Sequence, residues 1–470
     1  MGEKKGYIAY VDTGGTFSDA VIVSPDGTFS TGKAATEPNR LERSFIGCLE
    51  SAGKAMGKSL QDVLSNADEV GYGTTVGTNM IVSESEGPKL GLITTKGFED
   101  RIHQWRLRPA GLLKPEAMHM ISSGHPKPLI PRPLIKGVSE RVDVAGNAVI
   151  PLDETGLRRA VTELIKAGVE GIAICFLWSF LDNAHEVRAR EIINEINPGL
   201  MVSISSEVAP TMREYPRLMS TIIDLHIGRA LKELLKTIER RLQEYGYTRP
   251  LLVMQAIGGV AQAEVVHPGT TLHSGPVGGL AGVEFLKRQY GIKNAVGSDV
   301  GGTSFDVTIA SEKAEDFLRE PIVGRYEIAT PMREIITIGA GCGTIAWVGE
   351  IIKVLHAGPQ SAGSEPGPVC YDAGGVLPTV ADADLVTNRL NADYFLGGSK
   401  KLNRDKAMKA IQEKIADPLG IDVMDAAEGI IKIIDASMQS TLRTTLASKG
   451  IDPAKYALFA FGGGGPCHCA

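Results

Sequence analysis

Asp12-Thr13-Gly14-Gly15-Thr16-Phe17-Ser18-Asp19 returns about 290 residues later as Asp299-Val300-Gly301-Gly302-Thr303-Ser304-Phe305-Asp306, and this repeat decides the fold. Each copy follows a β-rich run, Tyr7 to Val11 or Asn294 to Val300, and precedes another, Ala20 to Val23 or Asp306 to Ala310. Each therefore reads as a tight turn between two strands. A device used twice at such a distance marks two similar halves. Paired glycines let backbone N–H groups approach phosphate oxygens with no Cβ in the way, and they permit the positive φ angles that anion-cradling turns use. The Thr16 and Thr303 hydroxyls add donors. An Asp closing the first strand repels phosphate, but it can hold Mg2+ (or Mn2+) or its waters, or orient an attacking oxygen. One such turn alone is an ordinary hairpin connection. Two copies, joined by a third glycine run at Gly462-Gly463-Gly464-Gly465 after the apolar strand Tyr456 to Phe461, reverse that balance. With no side chains to fill space, the third run suits backbone packing around an adenosine group.

Around these turns the pattern alternates helix and strand. Helical spacing runs from Arg40 to Ala67, Asp153 to Ala167 and Lys406 to Lys449, and Leu218 to Tyr245 reads as a helix pair. Extended runs lie at Glu69 to Thr75, Gly171 to Leu177 and Leu251 to Gln255, as layers of an α/β protein require. Gly339 to Gly374 is loop-rich. At 470 residues the chain is too long for one core to grow comfortably. We divide it into an N-terminal domain, 1–210, with the first turn, and a second, 211–470, with the other two glycine loops.

A net charge of -6 and 22% charged residues, without a dense Lys/Arg run, argue against nucleic acid or an anionic membrane as the main partner. The longest apolar stretch, around Gly171 to Leu181, is far below the roughly 20 residues that span a bilayer. The start, MGEKKGYIAYVD, lacks a signal-peptide pattern, so the default location is cytoplasmic. Six cysteines in this length are no disulfide framework. Cys467-His468-Cys469 has poor spacing for a zinc site, which usually separates paired cysteines by two to four residues and needs further ligands.

The three glycine loops resemble the phosphate-1, phosphate-2 and adenosine motifs of the actin/hexokinase/70-kDa heat-shock superfamily. The resemblance narrows to the hydantoinase A / 5-oxoprolinase family through Tyr72-Gly73-Thr74-Thr75-Val76-Gly77-Thr78-Asn79, Leu92-Ile93-Thr94-Thr95-Lys96-Gly97-Phe98, His273-Ser274-Gly275-Pro276-Val277-Gly278-Gly279, Gly339-Ala340-Gly341 and Ala381-Asp382-Ala383-Asp384-Leu385. These segments cover nearly the whole chain. Ser298 to Val307 and Ala416 to Ile421 are similar in wording to the ATPase-like subunits of acetone and acetophenone carboxylases. The resemblance implies duplicated ribonuclease-H-like domains of mixed sheets flanked by helices, with ATP in the cleft between them. It implies phosphorylation of a ketone enol and of bicarbonate within a hetero-oligomer containing hydantoinase B-type or other carboxylase subunits. Opening of a cyclic amide, as in hydantoinases, oxoprolinases and lactamases, shares the first step, and a nucleotide-dependent assembly module is a third possibility for such a fold. Gly464 stands where the family usually has alanine, and Cys467 where it has leucine or valine. Family members continue past the last loop. The helix that normally follows it is therefore expected from a continuation of this chain or from another chain, and the 470 residues alone are expected to bind ATP weakly.

Asp12 and Asp299 are the expected catalytic and metal-holding residues. Thr13, Gly14, Gly15, Thr16, Gly301, Gly302 and Thr303 are expected at the phosphates, with Gly462 to Gly465 at the adenosine. Asp19 and Asp306 match on the returning strands and either stabilise the turns or reach the metal's water shell. Thr74, Thr75 and Asn79 face phosphate or cap a helix, and Gly275 comes from the matching helix motif. His103, His119 and His125 fall in an Arg/His-rich loop that reads as solvated surface.

Overall fold

A computed structural model describes residues 6–82, 87–104, 127–312, 317–398 and 400–469; His119 and His125 lie outside them. The chain opens with β1 (Tyr7–Thr13), β2 (Phe17–Val23) and β3 (Phe29–Ala35), an antiparallel meander. Helix α1 (Leu41–Ala55) then crosses over to β4 (Ala67–Thr74), which pairs parallel with β1. Helix α1 exists because Phe45, Cys48, Leu49 and Ala52 recur at helical spacing, and all four are fully buried against this sheet.

A second sheet is entirely parallel, in the order β8-β7-β5-β6: β5 (Leu90–Thr95), β6 (Ile135–Val138), β7 (Gly171–Cys175) and β8 (Met201–Ile204). Its central strands β5 and β7 are buried at every position, as strands covered on both faces must be. Helices α2 (Glu154–Lys166) and α3 (Ala184–Ile196) supply the crossovers. The expected helix pair is instead one helix, α4 (Glu214–Glu244), of 31 residues. Pro216 sits in its first turn, where the missing N–H costs nothing. Gly228 does not break it, because that position packs against Pro268, 3.6 Å from where a Cβ would stand.

Strands β9 (Leu251–Met254) and β10 (Val260–Gln262) then return to the first sheet, giving the order β10-β9-β4-β1-β2-β3. The first sheet thus draws two strands from beyond residue 210. Helix α5 (Ser274–Gln289) leads to the third sheet, β11 (Ala295–Val300), β12 (Phe305–Ala310), β13 (Ile336–Ile338) and the much later β14 (Ala457–Phe461). Between them lie α6 (Val380–Val386) and the long α7 (Val423–Ser448).

The order β13-β12-β11-β14 repeats β3-β2-β1-β4 strand for strand. Each has a hairpin, a third antiparallel strand on one side and a parallel strand on the other. Register repeats too: Asp12 lies opposite Asp19, and Asp299 opposite Asp306. Among the described residues, no helix is long and apolar enough to cross a membrane.

Candidate functional site

The two repeated turns face each other. A Cβ built on Gly302 would stand 2.4 Å from Thr16 Oγ1, and one on Gly15 would stand 3.9 Å from Thr303 Oγ1. The sequence reading justified these glycines partly by positive φ. None of Gly14, Gly15, Gly301 and Gly302 adopts it, and the close approach of one loop to the other is what excludes a side chain at Gly302.

Hydrogen bonding divides the turn amides in the same way in both copies. The first glycine closes its own turn, Gly14 N donating to Phe17 O and Gly301 N to Ser304 O at 3.0 and 2.9 Å. The next two amides, of Gly15 and Thr16 and of Gly302 and Thr303, donate to no protein group among the described residues. Gly15 and Thr303 are exposed, while Thr16 is buried between the loops. A brace holds the second turn from behind: Cys342 N donates to Gly301 O at 3.0 Å and Gly343 N to Gly302 O at 2.6 Å.

Asp12 stays open to solvent and Asp299 is half-buried, yet protein surrounds both. Burial first, then the facing Asp19, pushes the Asp12 carboxyl up to about 6, against a smaller opposing pull from Lys33. Burial also leads at Asp299, followed by Asp306, Asp12 and Asp19, and takes it up to about 7. The four carboxylates thus share one field in which Lys33 is the cation named on both groups. That lysine is occupied, its Nζ lying 2.6 Å from Asp19 Oδ1. Asp306 is buried, accepts from Ser304 Oγ at 3.0 Å and from Thr337 Oγ1, and is itself raised by burial. The two Asp pairs match in register but differ in surroundings: Asp12 and Asp19 are exposed with Asp19 salt-bridged, whereas Asp299 is half-buried and Asp306 buried and hydrogen-bonded.

Glycines frame both catalytic candidates. Cβ atoms on Gly73 and Gly275 would lie 2.8 and 3.0 Å from Asp12 Oδ1, and one on Gly462 would lie 2.2 Å from Asp299 Oδ1. Gly279, one turn after Gly275 on α5, faces Phe461 and Asp299 Oδ2, at 2.7 and 3.9 Å from its missing Cβ. A single helix therefore lies over both aspartates. Sequence reasoning singled out Gly275 but not Gly73 or Gly279, whose spacing acquires meaning only once the strands are placed.

Other expected residues bond within the protein. Thr74 Oγ1 accepts from Val76 N at 3.3 Å, at the start of the helix over residues 76–82, and its backbone exchanges bonds with Ser274 Oγ. Thr75 Oγ1 donates to Thr13 O and accepts from Asn79. Thr13 is buried, with its hydroxyl 3.0 Å from Ser18 Oγ. Of the last loop, Gly462 and Gly463 are exposed, while Gly464 and Gly465 are buried against the third sheet. Gly462 has φ +80 and Gly464 N donates to Val300 O at 2.8 Å.

Residues 217–470 match the Hydantoinase/oxoprolinase family and residues 8–197 the Hydantoinase/oxoprolinase N-terminal region. The chain is 39% identical to the acetophenone carboxylase gamma subunit of Aromatoleum aromaticum, over 98% of its own length and 64% of the relative. It is 34% identical to the caprolactamase subunit alpha of Pseudomonas jessenii, over 99% of this chain and 66% of the relative. It therefore spans about two thirds of the length of these relatives. The nucleotide-free structure of acetone carboxylase superposes with a TM-score of 0.88 at 33% identity, covering 98% of this chain and 66% of that one. Sheets, turns and relatives agree: the chain belongs to the hydantoinase/oxoprolinase family.

Proposed function

We propose that this chain is the ATP-dependent phosphoryl-transfer part of a ketone carboxylase complex, with two actin/hexokinase-like halves meeting at the repeated turns. One observation carries the reading: two facing turns offer unbonded amides beside carboxylates raised towards neutrality. The division between halves falls after β10 in this reading, since β9 and β10 complete the first sheet.

The amides of Gly15, Thr16, Gly302 and Thr303 suit phosphate oxygens, which backbone N–H groups hold without added charge. Asp12, Asp19, Asp299 and Asp306 leave an excess of negative charge over Lys33, a donor set that fits a hard divalent cation. Mg2+ or Mn2+ bound there would offset charge on the phosphates. Asp12 and Asp299 would be its holders, directly or through water. A carboxyl near 7 can also take or return a proton at an acceptor oxygen close to neutral pH. The exposed Gly462 and Gly463 lie next to Asp299, where they suit an adenosine group. The acceptors are a ketone enol and bicarbonate, in a hetero-oligomer with partner subunits, as the acetophenone and acetone carboxylase relatives suggest.

A second reading, opening of a cyclic amide, rests on the 34% identity to the caprolactamase subunit. ATP turnover of the chain assembled with its native partners separates the two. Ketone plus bicarbonate stimulates it in the first reading, a lactam or hydantoin in the second. Asp12→Asn and Asp299→Asn are each expected to remove most turnover while the fold persists, and normal turnover in both variants would sink the phosphoryl-transfer reading itself.

A further inference from the structure

Behind the last glycine loop, Cys342, Asp384 and His468 bring a thiol, a carboxylate oxygen and an imidazole nitrogen within 4.8 Å of one another. Three separate segments supply them: the brace loop under the second turn, helix α6, and the residues just after Gly465. The Asp384 side chain is fully buried, and neither of its oxygens makes a hydrogen bond. His468 Nε2, also buried, lies 3.3 Å from Asp384 Oδ2 without a hydrogen bond of its own. Two residues earlier, Asp382 shows what this helix does with a structural carboxylate: it accepts from Val369 N, Cys370 N and Thr379 N and Oγ1. Buried polar atoms are rarely left without partners, and beyond the imidazole 3.3 Å from Oδ2 the Asp384 carboxylate has none among the described residues.

The other side of the imidazole is already fixed. His468 Nδ1 lies 2.7 Å from Asp435 Oδ1, and Arg389 Nη1 lies 3.7 Å from the other oxygen of Asp435. A carboxylate that orients one ring nitrogen and leaves the other free is the usual outer arrangement around a metal-ligating histidine. Thiolate, imidazole and carboxylate together are the donor types of zinc, whose bond lengths of roughly 2.0–2.3 Å place tetrahedral ligands roughly 3.3–3.8 Å apart. The present spread of up to 4.8 Å meets that after a contraction of about 1 Å. We propose that Cys342, Asp384 and His468 bind one Zn2+, with water in the fourth position and Asp435 holding the His468 ring.

Charge closes around this site. The Cys342 thiolate and Asp384 carboxylate balance the ion, the imidazole is neutral, and Arg389 faces Asp435. The competing arrangement is a His468 cation between the two carboxylates, with Cys342 left a thiol. Cys467 and Cys469 are not part of the site, since their sulfurs turn to Arg389 O and Pro466 O. The spacing argument against them thus stands, while the histidine between them finds its partners far away in sequence. The ion would tie the end of the glycine loop to the brace under Gly301 and Gly302.

The proposal is independent of the phosphate-cleft reading and is tested without turnover. The chain, purified without a polyhistidine tag and stripped of metal, is dialysed against Zn2+ or Co2+, desalted and analysed for metal content and absorption. One equivalent of zinc per chain is expected, with a thiolate-to-cobalt charge-transfer band in the near ultraviolet for Co2+. Cys342→Ser should lose the band, and Cys342→Ser and Asp384→Asn should each lower zinc retention at least tenfold, while Cys467→Ser/Cys469→Ser and Asp12→Asn/Asp299→Asn keep both signals. Circular dichroism of each variant checks folding. His468→Gln serves as the alternative should Asp384→Asn unfold. No retained metal in the wild-type chain overturns the site in favour of the protonated histidine, and a thiolate band that survives Cys342→Ser overturns it in favour of another cysteine.

Discussion

Asp299→Asn should stabilise the nucleotide-free chain while disabling it, because the carboxylate is held where burial and three other aspartates oppose its charge. A carboxyl moved from an ordinary 3.8 to about 7 carries an ionisation penalty of roughly 4 kcal/mol, at about 1.4 kcal/mol for each tenfold change in the equilibrium. Solvent reaches this half-buried group, so about 1–2 kcal/mol is the reasonable expectation. The sign follows from linkage. Below about pH 4 the carboxyl is protonated whether folded or unfolded and the penalty is absent. It grows as the unfolded chain ionises and is complete above about pH 7, so wild-type stability falls across this window. Asparagine keeps the shape and never ionises. Thermal melts should therefore place Asp299→Asn about 1–2 °C above wild type at pH 8, because a chain this long unfolds with an entropy of about 1 kcal/mol per degree. At pH 5, where about a third of the penalty has developed, the gap should shrink accordingly. Melts by circular dichroism, with ATP and divalent cations absent, read this directly. A variant that melts below wild type at pH 8, or a gap that does not change with pH, would refute the electrostatic account of Asp299.

Gly302→Ala should push the two turns apart, since its Cβ would fall 2.4 Å from Thr16 Oγ1. A misplacement of that size costs about 100-fold in turnover of the assembled enzyme. Adding Thr16→Ala, which leaves only a 3.2 Å contact with the residue-16 Cβ, should recover melting temperature. Arg217 is fully buried and donates to Phe176 O at 2.7 Å and to Ser205 and Ser179, while Ser205 in turn donates to the buried Glu186. Arg217→Ala should cost about 3 kcal/mol or more in urea unfolding, because several buried acceptors lose their donor together, and a cost under about 1 kcal/mol would show that the network is not needed.

The repeated turns were legible because their signal is local: Asp, paired Gly and Thr between apolar runs leave little choice of structure. The same locality misled on mechanism, since a sequence cannot show that Gly302 is small because Thr16 arrives from the other turn. Helix α4 read as a pair from the spacing over Leu218 to Tyr245, and the structure makes it one helix of 31 residues that begins earlier, at Glu214. Thr74 and Thr75 had two readings in the sequence, and in the structure their hydroxyls bond Val76 N, Thr13 O and Asn79 at the strand-to-helix junction. Strand order was half visible: β11 and β12 announced themselves, whereas nothing in Tyr456 to Phe461 says that this strand lies beside β11. Cys342, Asp384 and His468 were invisible as a group, because no periodicity links a loop, a short helix and the chain's last turn.

Helix α5 touches the aspartates of both repeated turns through positions that have no side chain. Gly275 rests on Asp12 and Gly279 on Asp299 and Phe461, so neither contact interlocks as a leucine knob in a hole would. Such a smooth bearing lets a rod roll or slide by small amounts without a steric click. It is also the shortest mechanical link between the two aspartates. Gly275 and Gly279 stand four residues apart on this rod, so about one helical turn separates its contacts with Asp12 and Asp299. The helix thus behaves as an axle on which the spacing of the two carboxylates is set, and a methyl group at either glycine would act as a wedge in it.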